Sequence, residues 1–170
     1  MGSHFRILAL FGVVGLPAIF MLHRGQAQGN WQLASQVLSI DLQQQILKEN
    51  LQPGTAIDIG QMKVLTVGRL QLIDTRIASP TKTANVNPLC GAESCLFLGY
   101  SNHQRVLNIY LNPNLPPKVT LIQPIGEQRE NLPCLLVNQL EQQKIHTAKL
   151  CFNGTAYETV ETQILPEVYE

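Results

Sequence analysis

Charge is what this chain has least of. Only 14% of its 170 residues are charged, and 12 basic side chains balance 12 acidic ones. A typical soluble domain carries about 25%. No basic stripe is present to release counterions from a phosphate backbone, which sets nucleic-acid binding aside. No acidic block calls for a cationic partner. Aromatic residues make up 6%, with a single tryptophan, Trp31. Glutamine fills much of the space left by charge, at 17 positions.

Chemical signatures are missing too. No glycine-rich phosphate loop occurs. Ser94 stands in Gly-Ala-Glu-Ser-Cys, not in the Gly-x-Ser-x-Gly elbow that lifts a nucleophile onto a strand-to-helix turn. Beyond the N-terminal segment the histidines are His103 and His146, without the paired spacing of a zinc site. Cys90 and Cys95 have four residues between them, and that loop holds no His or Lys to lower a thiolate pKa. A thiol-redox role is therefore disfavoured. Glu158 and Glu161 are the nearest pair of carboxylates for glycoside hydrolysis, but residues three apart on a strand are expected to face opposite ways. The sequence assigns no catalytic, cofactor-binding or metal residue, and no cofactor.

What is present starts at the N-terminus. Residues 1–6 carry Arg6 and no acid, and residues 7–22 (ILALFGVVGLPAIFML) are uncharged. His23 to Ala27 closes the segment, with small residues at Gly25 and Ala27. This is the layout of a secretory signal cut after Ala27. A spanning helix wants about 20 apolar residues, and this stretch is interrupted by Gly12, Gly15 and Pro17. The expectation is a signal peptide over residues 1–27, with retention of residues 7–22 as a membrane tether as the alternative. The exported part, residues 28–170, is read as one globular domain. Removing Arg6 and Arg24 leaves it with 10 basic and 12 acidic residues.

All four cysteines, Cys90, Cys95, Cys134 and Cys151, lie in that part. An even count in an exported domain reads as disulfides. Four unrelated buried thiols are the competing reading.

Along the chain, residues 30–37 suit a short helix, with Asn30 as N-cap. Beyond Leu38 the apolar residues alternate with polar ones, which reads as a strand, or as a longer helix reaching Leu47. Residues 55–59 and 62–77 are β-rich, with a bulge or bend expected at Gly68. Residues 78–89 are polar with two prolines and read as an exposed loop. Residues 95–100 and 106–111 flank a five-residue loop, and the prolines of residues 112–117 forbid a central strand. Residues 119–124 resume briefly. Residues 134–139 and 145–152 are strands around a turn centred on Gln142 and Gln143, which sets Cys134 opposite Cys151 and leaves Cys90 for Cys95. Asn153-Gly154 is the strongest short hairpin signal, since a type I′ turn needs positive φ at both central positions. Centred there, the hairpin sets Lys149 opposite Glu158 and His146 opposite Glu161. Asn153-Gly154-Thr155 also fits a glycosylation sequon, which the turn role already explains.

The fold expected is mainly β, an antiparallel sandwich or partly closed barrel with a short N-terminal helix. The alternative is α+β, with a longer helix packed on the sheet. The function expected is an exported, non-catalytic binding or interaction domain, whose partner is a protein or envelope component. Its contact surface is expected at the loops of residues 78–94 and 101–105. A membrane-anchored accessory subunit and a small exported hydrolase or redox enzyme are the other readings.

Overall fold

The computed structural model describes residues 30–55, 57–77 and 87–165. The segment read as a signal peptide, residues 1–27, and residues 78–86 of the expected loop lie outside them. The elements run β1 (Gln32–Leu33), α1 (Ala34–Val37), α2 (Ile40–Asn50), β2 (Lys63–Val67), β3 (Leu70–Asp74), β4 (Cys95–Ser101), β5 (Gln104–Leu111), β6 (Ile122–Arg129), β7 (Leu132–Glu141), β8 (Lys144–Phe152) and β9 (Tyr157–Leu165). They form two antiparallel sheets, each a simple meander: β1-β2-β3-β4-β5 and β6-β7-β8-β9. The break falls where the prolines require it, since β5 stops at Leu111 and β6 begins at Ile122. The sheets stack as a sandwich and do not close into a barrel.

The strand expected after Leu38 is a helix. Leu38, Leu42 and Ile46 are spaced by four, a spacing that fits both one face of a helix and one face of a strand. Ser39 caps the helix N-terminus by accepting a hydrogen bond from the Leu42 amide at 3.2 Å. Leu42 and Ile46 are buried while Ile40 is 73% exposed, so the residues that alternate in sequence separate onto two helical faces. The helix starting at Asn30 shrinks to the four residues of α1.

Helix α2 covers the outer face of the first sheet. Leu38, Leu42, Ile46, Met62, Val64, Ile73, Leu96, Leu98 and Tyr100 form one core. The other face meets the second sheet, where Leu72, Phe97, Leu107, Leu111, Leu135, Val137 and Leu150 form another. Strand β4 lies between them. Its residues Leu96 to Tyr100 are all buried, so it reads as an unbroken apolar run instead of an alternation. Gly99 belongs to that run for a steric reason: a Cβ there would sit 2.8 Å from Cβ of Leu107 on β5.

The hairpin turns are tighter than expected. Asn102–His103, Glu130–Asn131 and Gln142–Gln143 each carry positive φ at both central residues, the mark of two-residue type I′ turns. The five-residue loop expected at residues 101–105 is therefore a two-residue turn, and the bend expected at Gly68 is the tight turn joining β2 to β3. The turn at Gln142–Gln143 lies where expected, and pairs Leu135 with Leu150 and Leu136 with Lys149.

Asn153-Gly154 does not form the expected type I′ turn. Gly154 has φ +99°, but Asn153 is not among the positive-φ residues. The loop spans residues 153–156, and Phe152 pairs with Tyr157. Lys149 therefore faces Glu161, and His146 faces Ile164. Two interactions favour this register. The Asn153 side chain caps two loop amides, and Tyr157 packs on Phe152 with ring centroids 5.9 Å apart while its hydroxyl donates to the Pro133 carbonyl. Farther along, Leu150 faces Thr159 but Lys149 faces Glu161, leaving Val160 as the extra residue of a bulge. The bulge sends Glu161 to the solvent side and Ile164 to the side facing the first sheet.

Candidate functional site

The second sheet is wider than the surface covering it. The side chain of Gln139 on β7 donates to the Tyr110 carbonyl on β5 at 3.2 Å, which places the edge strand of the first sheet over β7. Strands β8 and β9 continue past that edge. Between the overhang and β5 lies an open cleft of about 570 Å³. Its walls include Ile109 and Leu111 from one sheet and Val137, Ala148, Leu150 and Ile164 from the other. Ile164 is 58% exposed there, an unusual position for a large apolar side chain on an inner sheet face. Gln139, His146, Thr159 and Thr162 supply the polar groups. A concave, mostly apolar cleft with a few hydrogen-bonding groups is the usual form of a binding site.

A second cleft, of about 410 Å³, lies on the outer face of the same sheet. Between Pro124 and Gln128, strand β6 carries three residues where β7 has one, Cys134. That bulge brings Glu127 over the sheet, where it forms an ion pair with Lys149. The Lys149 hydrogen bond is the main reason the Glu127 carboxyl is held below the ordinary glutamate range. Glu161, opposite Lys149, also lines this cleft. A third, small hollow of about 150 Å³ at the end of the sandwich contains Trp31 and the Asp74–Arg76 ion pair. Arg76 also lies 5.3 Å above the Phe97 ring.

The cysteines pair Cys90–Cys95 and Cys134–Cys151. The second bridge joins facing residues with Cα atoms 4.4 Å apart, the separation of a non-hydrogen-bonded antiparallel pair. Glu127 approaches Cys134 and Cys151 closely enough to resemble a three-ligand metal set, but both sulfurs are committed to the disulfide. Two bridges are consistent with an oxidising environment.

Other residues singled out in the sequence are dispersed. His103 sits in the β4–β5 turn and His146 in the inter-sheet cleft. The expected contact loop of residues 101–105 is bound to the helix, because Gln45 donates to the His103 carbonyl and Arg105 approaches Glu49 at 3.7 Å. Nearby, burial and the Glu49 hydrogen bond push the Tyr100 hydroxyl pKa upward. Of the other expected loop, residues 78–86 lie outside the described residues. The bulge at Val160 overturns one expectation: Glu158 faces Cys151 and Glu161 faces Lys149, so both carboxylates lie on the outer face. Glu158 accepts from the Asn153 side chain, whereas Glu161 lines the second cleft.

Sequence reasoning missed both clefts. The inner one depends on how far one sheet overhangs the other, a quantity with no local signal. The outer one depends on the Ile125–Glu127 bulge, for which Gly126 was the available hint. Among the described residues no helix is long and apolar enough to cross a membrane. No family model, curated protein or solved structure matches the chain.

Proposed function

We propose that this chain is an exported, non-catalytic binding domain of the cell envelope, and that its contact surface is the cleft between the sheets. The observation that carries this reading is the overhang of β8 and β9. It leaves Ile164 and the neighbouring threonines on an inner face that the first sheet does not cover. A sandwich whose purpose was stability alone would be expected to bury that face, because each buried aliphatic side chain contributes roughly 1.5–3 kcal/mol. The N-terminal segment of residues 1–27 supports delivery across a membrane, and the two disulfides support residence in an oxidising compartment. The partner is an envelope protein or another envelope component.

The surface is tested by placing a photoreactive residue at Ile164 and, as a control, at exposed Gln128 on β6. In intact cells Ile164 should crosslink to an envelope component, and Thr162→Arg should abolish the product without unfolding the domain. Equal yields from both positions would refute the cleft as the contact surface. Export is tested separately by fusing residues 1–30 to a reporter, which should leave the cytosol unless Val13 and Val14 are replaced by Asp. Intact mass from the native membrane distinguishes a chain cut after Ala27 from one tethered through residues 7–22.

A further inference from the structure

Residues 153–156, which join β8 to β9, are all exposed. Within this loop the Asn153 side chain is held at both ends. Its Oδ1 accepts hydrogen bonds from the amides of Thr155 and Ala156, each at 3.0 Å. Its Nδ2 donates to Glu158 Oε2 at 3.1 Å. Both neighbours of Oδ1 are donors and the neighbour of Nδ2 is an acceptor, so the amide has one sensible orientation. Gly154 follows, with no atom within 4 Å of where a Cβ would stand. Its amide takes no part in the loop's hydrogen bonds.

We propose that Asn153 is a self-modifying residue, whose side-chain amide is displaced by the backbone nitrogen of Gly154. The Gly154 nitrogen loses its proton and bonds to Asn153 Cγ, closing a five-membered succinimide ring. Negative charge develops on Oδ1, where the Thr155 and Ala156 amides stand as an oxyanion hole. The Cγ–Nδ2 bond then breaks and ammonia leaves. Glu158, already hydrogen-bonded to the departing nitrogen, acts as the base that takes up the proton and returns it to the leaving ammonia. Water opens the ring at either carbonyl, giving aspartate or isoaspartate. One water is consumed and one ammonia released, and no oxidant, reductant or enzyme is needed.

The remaining described asparagines lack this arrangement. Asn87 and Asn112 precede proline, whose nitrogen has no proton to lose, and Asn30, Asn50, Asn102, Asn108, Asn114, Asn131 and Asn138 precede residues with bulky side chains. Conversion at Asn153 would act on β9. Aspartate would replace the Nδ2 donor with a second carboxylate facing Glu158. Isoaspartate would add a methylene to the backbone just before the strand that carries Thr159, Thr162 and Ile164 into the cleft.

The test is peptide mapping of the full-length folded protein, aged at neutral pH and assayed for the mass change from an amide to an acid and for isoaspartate. Asn153 should convert at least about tenfold faster than any other asparagine, a difference of one decade in rate. It should also convert at least as fast as in the same chain held unfolded in denaturant. That second comparison separates the loop geometry from the bare Asn-Gly sequence. Glu158→Gln, at an exposed position, should slow conversion by about tenfold, at the low end of acid–base contributions, with the thermal midpoint retained. Slower conversion in the folded protein than in denaturant would overturn the proposal. An unchanged rate in Glu158→Gln would remove Glu158 from it.

Discussion

The two sheets solve the same problem differently. The first is covered on both faces, by α2 and by the second sheet, and its central strand β4 is buried from Leu96 to Tyr100. The second is covered in part on its inner face and only locally on its outer one. Its outer face carries a disulfide, an ion pair and a buried Thr147–Asn138 hydrogen bond of 2.6 Å. Apolar burial holds the first sheet on both faces, whereas the second adds to the apolar burial of its inner face a polar network and a covalent clamp on its outer one. Thus the sheet with the least covered surface is also the one that presents the clefts.

The contrast is broken most forcefully at β4. Leu98→Ala, at a fully buried position, should cost about 2–5 kcal/mol in denaturant unfolding. Leu136→Ala, on the half-buried outer face of the second sheet, should cost about 1 kcal/mol or less. Similar losses at both would dissolve the distinction. The clamp comes next. Replacing Cys134 and Cys151 together by Ser should destabilise the domain by roughly 3 kcal/mol, as expected for a loop closed over 17 residues. Under the same measure the Cys90–Cys95 bridge, with a separation of 5, should contribute roughly 2 kcal/mol.

Turn chemistry sharpens the comparison further. Gly154→Val should cost about 1–3 kcal/mol, because a β-branched residue resists the +99° φ of that position. An unchanged denaturation midpoint would show that the loop re-forms without it. In the opposite direction, Gln142→Asn with Gln143→Gly should stabilise by about 0.5–1 kcal/mol, since both positions hold positive φ that suits Asn-Gly better. The smallest effect is electrostatic. Glu127 ionises more readily in the folded state than in the unfolded chain, so its contribution is present above pH 4.5 and is lost as pH falls through its lowered folded value. Glu127→Gln should therefore lower the thermal midpoint slightly at neutral pH and flatten its fall in that acid range.

Much of this architecture was legible along the chain. The prolines of residues 112–117 interrupt the strands, residues 95–100 and 106–111 pair as a hairpin, and the symmetry of the β7–β8 hairpin about Gln142–Gln143 brings Cys134 to Cys151. Elsewhere local rules were outvoted. Asn153-Gly154 carries the better type I′ signal, yet the type I′ geometry sits at Asn102–His103, Glu130–Asn131 and Gln142–Gln143. The preference of a turn for its residues is worth on the order of 1 kcal/mol. The packing of Tyr157 on Phe152 and the exclusion of Glu161 from the inner face together outweigh it.

By itself, then, the sequence determined the β-rich composition, the break in the strands at residues 112–117 and the partners of the cysteines. These depend on residues close together in the chain and on period-two alternation, which local chemistry specifies. Tertiary structure decided that residues 40–50 are helical, that Val160 bulges and that β8 and β9 extend past β5 to open a cleft. In each case neighbouring side chains leave more than one arrangement open. The choice between them is made by burial against residues distant in sequence.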